Sequence, residues 1–455
     1  MNVDLPGSTV PKSGSQVADP ASVPAPVPVL RTLTVPRAAV QDNGLLDLLV
    51  RDDALVWGRR GEGLVGFGEV ARTTSTGSGR FADLRRWWSA AAAGAAAEDH
   101  VGLPGSGPVA FSAIAFSAAS SHASRLIVPR LVVGRTGDSG WLTLITADPD
   151  AELTAAAAEQ ELARLLEDPS PERDLGPTAD RLVPGQVSER QYEDSVRAGV
   201  RAIAAGDLTK LVLARDAVAE LGSDVAVSQV LRELALRYAD CWTYSVDGLI
   251  GSTPEMLVKV TGDTARARVL AGTLDRATAP AGDQGYATRM LSGSEKQRHE
   301  HRLAIDSLTA ELGPLVTGMT APEEPFVLEL PNVWHLASDV EAHLRVHDDG
   351  TSPSALDLAE VLHPTAAVCG TPTAAADELI LRLEGMDRGP YAGPVGWVDA
   401  AGNGEFGIAL RGGVVESPTR VRLYAGCGVV AASDPAAELA ESWAKMRPMR
   451  EALNV

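Results

Sequence analysis

The stretch Asp207–Asp216, DLTKLVLARD, sets the reading of everything after residue 186. Four apolar residues follow a lysine and are closed by a charged pair, which is the length and composition of a strand. Side chains alternate on a strand, so Lys210, Val212 and Ala214 share one face and Leu211, Leu213 and Arg215 the other. A lysine in that place is ordinarily a charge at a sheet edge. An enclosed lysine is disfavoured as an ammonium and can serve as a general base.

Outward from this strand, helix and strand patterns intermingle. Ser188 to Ala205 reads as a helix before it; Ser228–Arg237 as a helix and Thr243–Leu249 as a strand after it. Strands are expected at Glu255–Val260, Arg266–Leu270, Gly393–Val398, Phe406–Leu410 and Arg420–Ala425, and helices at about 294–313, 373–385 and 435–453. Upstream, from about Gly44 to Ile145, short apolar runs between glycine-rich turns read as strands: Ala54–Gly58, Leu64–Gly68, Val109–Phe116 and Trp141–Thr146. Glu152–Leu166 has helical spacing, and the proline-rich 169–185 reads as a linker. Residues 1–36 hold seven of the 29 prolines and read as a disordered Pro/Ala-rich tail. The mixture implies an α/β or α+β architecture.

The 455 residues carry 40 Lys and Arg against 60 Asp and Glu, a formal charge of −20. Long-range repulsion disfavours nucleic acid and anionic membranes as partners. A small anionic ligand would need local cations or a bound metal. Cys241, Cys369 and Cys427 are far apart and form no CxxC pair, which points to a reduced, cytoplasmic protein. No secretory signal and no 18-residue apolar run is expected; the nearest candidate, Val109–Ser120, is short and serine-rich.

Groups able to carry chemistry gather in a few places. In the last helix Asp434 and Pro435 supply an N-cap and a first-turn proline, and Glu438, Glu441 and Lys445 share a face through spacings of three and four. Alone, that is the pattern of a solvated Glu–Lys pair. Another helix starts at Ser292-Gly293-Ser294-Glu295 and carries His299, Glu300 and His301 in succession, about 100° apart, which excludes a one-face HExxH zinc site. A hard cation such as Mg²⁺, held by a carboxylate from each helix, fits better. Glu255, in STPEML (252–257), opens a strand after a turn. The glycine-rich AGT (271–273), GTP (370–372) and AGCG (425–428) suit tight turns or backbone amides around a small carboxylate. AGCG opens no helix of a βαβ unit, so dinucleotide binding is a poor reading, and GxSxG and Walker A motifs are absent.

In order along roughly 186–450 the chain carries DLTKLVLARD (207–216), STPEML (252–257), LAGT (270–273), SEKQRHEH (294–301), VWHLAS (333–338), LHPTAAVCGTP (362–372), YAGPVGWVDAAGNGEF (391–406), LR (410–411) and YAGCGVVAASDPAAELAESWAK (424–445). This ordered set resembles the chorismate-utilising enzyme family, and within it the isochorismate synthases. The resemblance implies a single large fold of α/β (α+β) class, with two mixed, mostly antiparallel β-sheets packed in a sandwich and flanked by helices. It divides the chain into the tail at 1–36, a variable N-terminal part at 37–185 and a chorismate-binding catalytic region at 186–455. By that resemblance Lys210 matches the general base and Glu255 the general acid. Glu300 and Glu441 match the Mg²⁺ carboxylates, with Glu438 a ligand through water. Gly272, Thr273, Arg411, Gly428 and Lys445 match groups that hold the substrate's carboxylates and ring. His335 and Ala367 match residues of the same site.

Close relatives divide at a few positions. Anthranilate synthases usually have Gln where Lys210 stands, salicylate synthases have Thr where Ala367 stands, and GNGE (402–405) is more like the isochorismate synthases. Gln297, where relatives often carry a carboxylate, and Val368, where they have Leu, are departures. The implied reaction is Mg²⁺-dependent isomerisation of chorismate to isochorismate. Lys210 takes a proton from a water attacking ring carbon 2, and Glu255 protonates the departing 4-hydroxyl. Both groups start neutral, a state that desolvation in a closed pocket favours. The product would feed menaquinone or catecholate siderophore synthesis. The expected protein is a monomer without a glutamine amidotransferase subunit. Rival readings are a salicylate synthase, an aminating anthranilate or aminodeoxychorismate synthase, and an inactive metabolite-binding subunit.

Overall fold

In the computed structural model of the chain, DLTKLVLARD opens a strand that runs from Lys210 to Glu220. The structure describes residues 25–38, 44–171, 181–276, 279–280, 283, 285–331, 333–346 and 350–455, and the side chains of 271, 273, 275, 296 and 300 fall outside that description. Leu211 and Leu213 of the strand pack under the helix Glu189–Ala205, where a Cβ on Gly199 would stand 3.0 Å from Leu211 Cδ2. Ser188 and Gln191 close a capping box at the start of that helix, and Gly206, at φ 89°, ends it.

Arg420–Val429 pairs antiparallel with the Lys210 strand over residues 211–220, while Gly370–Thr371 and Arg181–Pro184 take parts of its other edge. Among the described residues 13 strands form this sheet and ten form a second. The pair Arg31–Ala38 with Ala96–Asp99 is parallel, and the other ladders are antiparallel. The sheets share one apolar core, to which Trp57, Leu64 and Trp141 contribute from the first and Phe111, Trp397 and Phe406 from the second. Each such side chain taken out of water contributes roughly 1.5–3 kcal/mol. Helices Glu189–Ala205, Val227–Arg237 and Pro435–Leu453 pack on the first sheet, and Arg80–Ala93, Glu295–Leu312 and Ala355–Leu362 on the second. This is the helix-flanked, mostly antiparallel sandwich that the motif order implies.

Several local elements differ from expectation. Thr243–Leu249 is not one strand but the centre of a hairpin, in which Trp242–Val246 turns through Asp247-Gly248 into Leu249–Thr253. Both turn residues have positive φ, 49° and 84°, which the Asp-Gly pair tolerates. The stretch 44–145, read as strands, includes the helix Arg80–Ala93, whose buried Phe81, Leu84, Trp87, Trp88 and Ala91 recur at helical spacing. Residues 31–36 of the expected tail belong to the strand Arg31–Ala38, tied to its neighbour by Thr34 Oγ1 and Thr143 Oγ1 at 2.9 Å. Residues 1–24 lie outside the described residues. Within the expected linker, Arg181–Pro184 is a strand because the Lys210 strand offers it an edge, and 172–180 lie outside the description. VWHLAS, given no element in advance, begins the long strand Val333–Leu344.

The chain also crosses between sheets at two adjacent points. Leu249–Thr253 of the first sheet continues through Pro254-Glu255 into Met256–Thr261 of the second, and Gly404–Ile408 of the second returns through Ala409–Arg411 into Gly412–Ser417 of the first. The crossovers are tied together: Ile408 N–H donates to the Glu255 carbonyl at 3.1 Å, and Ser252 N–H to the Arg411 carbonyl at 3.3 Å.

Candidate active site

The two crossovers, the head of the Lys210 strand and the last helix surround a cavity. Lys210, Glu255, Gly272, His335, Ala367, Arg411, Gly428, Glu438, Glu441 and Lys445 all line it. The two remaining expected residues lie on adjoining backbone. Thr273 follows Gly272 on the strand Thr264–Asp275, and Glu300 is three residues beyond the lining Gln297 on the helix Glu295–Leu312; their side chains lie outside the description.

Lys210 is 1% exposed, so it is no edge charge, and Val212 on the same face also lines the cavity. Gly428 lies opposite Val212 in register and brings its backbone to the same wall. Glu255, 5% exposed, enters from the crossover side. Burial pushes its carboxyl up to about 7, against a hydrogen bond from the Leu270 backbone and the charges of Lys210, Arg411 and Lys445. An appreciable fraction of the molecules therefore holds a protonated Glu255 at neutral pH, the state a general acid needs.

Arg411, at φ 53°, donates from Nη2 to His335 Nε2 at 3.3 Å. Burial, then the charges of Arg411 and Lys445, hold the His335 imidazole well below its ordinary range, while a backbone hydrogen bond to Gly272 acts the other way. Gly272 itself sits at φ 85° in a bulge between Thr264–Asp275 and Val333–Leu344. A Cβ there would lie 2.7 Å from Gln297 Oε1, so glycine keeps this backbone open to the cavity.

Asp434 caps the last helix, accepting the Ala437 N–H at 2.9 Å, and turns Glu438, Glu441 and Lys445 toward the cavity. Lys445 Nζ lies 2.7 Å from Glu441 and donates to the Gly426 carbonyl at 2.8 Å. Desolvation, the largest single effect, lowers its pKa, but Glu441 and Cys427 together outweigh it and the net shift is upward, so the ammonium persists. The i,i+4 pair that reads as solvated in isolation thus faces a pocket.

Ligand atoms of Cys427, Glu438 and Glu441 lie within 4.8 Å of one another. Burial raises the Cys427 thiol, which donates to the Glu438 carbonyl at 3.3 Å, so it is not a thiolate ligand. The two carboxylates remain, and oxygen donors of that kind fit a hard divalent cation such as Mg²⁺.

Arg388, Tyr391 and Tyr424 also line the cavity. Tyr391 stacks on Tyr424 with ring centroids 5.2 Å apart. Tyr391 heads the YAGPVGWVDAAGNGEF motif, so its signal was present in the sequence; nothing local marks Arg388, a single arginine before a glycine. Gln297 Oε1 is buried without a hydrogen-bond partner among the described residues, so the departure at this position leaves a neutral acceptor at the cavity.

A family model described as "Chorismate binding enzyme" matches residues 51–454. The isochorismate synthase DhbC of Bacillus subtilis is 38% identical over 275 residues, 58% of this chain and 68% of that protein. The salicylate biosynthesis isochorismate synthase of Pseudomonas aeruginosa is 38% identical over 314 residues, 68% of this chain and 64% of that protein. The solved structure of MenF, the menaquinone-specific isochorismate synthase of Escherichia coli, superposes with a TM-score of 0.72 at 25% identity, covering 95% of this chain and 96% of that one. Since the family match runs through both sheets and every segment that lines the cavity, the chain belongs to the chorismate-binding enzyme family.

Proposed function

We propose that the chain is an isochorismate synthase, an isomerase that converts chorismate to isochorismate and supplies a menaquinone or siderophore route. The observation that carries this reading is the enclosure of Lys210 and Glu255 in one cavity with Ala367 on its wall. The curated isochorismate synthases among its relatives support it.

Chorismate is a dianion, and the positive charges of Arg411 and Lys445 offset its carboxylates locally despite the chain's −20 balance. The backbones of Gly272 and Gly428 approach the ligand closely, since neither has a Cβ. Lys210 accepts a proton from the water that attacks ring carbon 2. As the new C–O bond forms there, the ring double bonds shift and the C4–O bond breaks, and Glu255 gives its proton to the leaving oxygen, which departs as water. Solvent then returns each residue to its starting state. Glu438 and Glu441, with Glu300 from the helix Glu295–Leu312, would hold Mg²⁺, which would supply positive charge for a substrate carboxylate.

Among the described residues no helix is long and apolar enough to cross a membrane. The three cysteines are free and buried, which fits a reducing compartment such as the cytoplasm. Residues from before and after 186 enter the same apolar core, which supports one catalytic unit.

Incubating the purified protein with chorismate and Mg²⁺, with and without ammonia, tests the reading. Isochorismate as the product supports it. Salicylate with pyruvate, an aminated product, or chorismate binding without turnover each replaces it with the corresponding rival. A Lys210→Ala protein that kept full hydroxyl transfer would remove the base assignment.

A further inference from the structure

Between its pairings with Gly370–Thr371 and with Arg181–Pro184, the Lys210 strand meets no partner strand on that edge among the described residues. The Cys369 carbonyl, which accepts the Val212 N–H at 2.7 Å, and two side chains occupy the gap. Glu384 Oε1 accepts the Ala214 N–H at 2.7 Å, and Arg388 Nη2 donates to the Val212 carbonyl at 2.9 Å. Arg388 Nη1 reaches the Val368 carbonyl, also at 2.9 Å. Arg388 Nε donates to Glu384 Oε2 at 2.8 Å, and Nη2 closes a second bond to Oε1. The two side chains are 3% and 2% exposed.

One guanidinium therefore joins two pieces of the cavity wall: the strand on which Lys210 precedes Val212 by two residues, and the loop on which Ala367 precedes Val368. Four of its five N–H groups are committed to protein acceptors, so Arg388 lines the cavity with one N–H left to meet a ligand. A buried ion pair contributes little net stability, because desolvation offsets its Coulomb gain. Its geometric value here is larger. The planar fork holds two carbonyls and a carboxylate at fixed separations, and losing it leaves all three buried and short of a donor.

We propose that Glu384 and Arg388 are a positioning pair that sets the distance between Lys210 and the Ala367 wall, and so the line of attack of the water that Lys210 deprotonates. This inference rests on the hydroxyl-transfer reading above. Arg388→Lys keeps a buried cation, but one ammonium cannot span both carbonyls and both carboxylate oxygens in a plane. The folded variant, checked by circular dichroism and a cooperative melt, is expected to lose about 10²-fold in kcat while KM for chorismate stays within about threefold. An Arg388→Lys enzyme with wild-type kcat, or one whose KM rises as far as kcat falls, overturns the proposal. Should that variant not fold, the same kcat and KM split on Glu384→Gln, which keeps an acceptor for the Ala214 N–H, decides by the same criteria. The split is read on whichever product the wild type forms from chorismate. A wild type that makes salicylate or an aminated product thus overturns the proposed function while this pair is judged on its own result.

Discussion

Arg411 Nη2 donates to His335 Nε2 at 3.3 Å, and the direction of that bond requires an imidazole with no proton on Nε2. Burial and the charges of Arg411 and Lys445 act the same way. His335 is therefore expected to stay neutral from pH 5 to 8, with ring resonances that do not move in an NMR titration of the native protein. His335→Gln, which retains an acceptor, should lose under about tenfold in kcat/KM, whereas His335→Leu leaves a buried donor unpaired and should lose about 10²-fold.

Glu255, the proposed general acid, is expected to set the pH dependence. Its carboxyl sits at about 7 in the folded state, above the ordinary 4.5, so the protonated acid is lost as pH rises. kcat/KM is expected to fall above about pH 7 along a single ionisation. Glu255→Gln should lose about 10²- to 10⁴-fold in turnover while calorimetry still shows chorismate binding. Stability follows the same sign: the contribution from the raised pKa is complete below about pH 4.5 and is lost as pH rises through about 7, on the order of 3 kcal/mol. Melting curves of wild type and Glu255→Gln across that range should show the wild type losing ground.

Gly272 tests the wall of the cavity. Alanine there carries the cost of positive φ, about 1–2 kcal/mol, and its Cβ meets Gln297 Oε1. The expected result for Gly272→Ala is a folded protein with a modestly lower Tm and a KM for chorismate raised about tenfold or more. An unchanged KM would place the ligand elsewhere.

The carboxylates of the last helix test the proposed metal dependence. Removing divalent cations with EDTA should abolish turnover, and added Mg²⁺ should restore it. Glu441→Gln should raise the Mg²⁺ concentration for half-maximal rate by about 10–100-fold. The same substitution removes the negative charge 2.7 Å from Lys445 Nζ, so Mg²⁺ binding by calorimetry is the direct check.

Local pattern carried a large share of this protein. The alternation in DLTKLVLARD assigned Lys210 and Val212 to one face, Asp434 and Pro435 marked where the last helix begins, and the spacing of Glu438, Glu441 and Lys445 put them on one side of it. Where local pattern misled, the deciding partner was distant in sequence. Arg31–Ala38 is a strand because Ser139–Thr146 pairs with it, and Arg181–Pro184 because the Lys210 strand has an edge to offer.

The sequence alone determined which residues share a face, where helices start and which motifs follow one another, because backbone periodicity and capping act over a few residues. Tertiary structure decided what covers each face. It enclosed Lys210 rather than leaving it at an edge, raised Glu255, kept His335 neutral, turned a common Glu–Lys pair into a cavity wall and buried Arg388 against two carbonyls. Those outcomes depend on desolvation and on charges brought from remote segments, which neighbours in the chain do not encode.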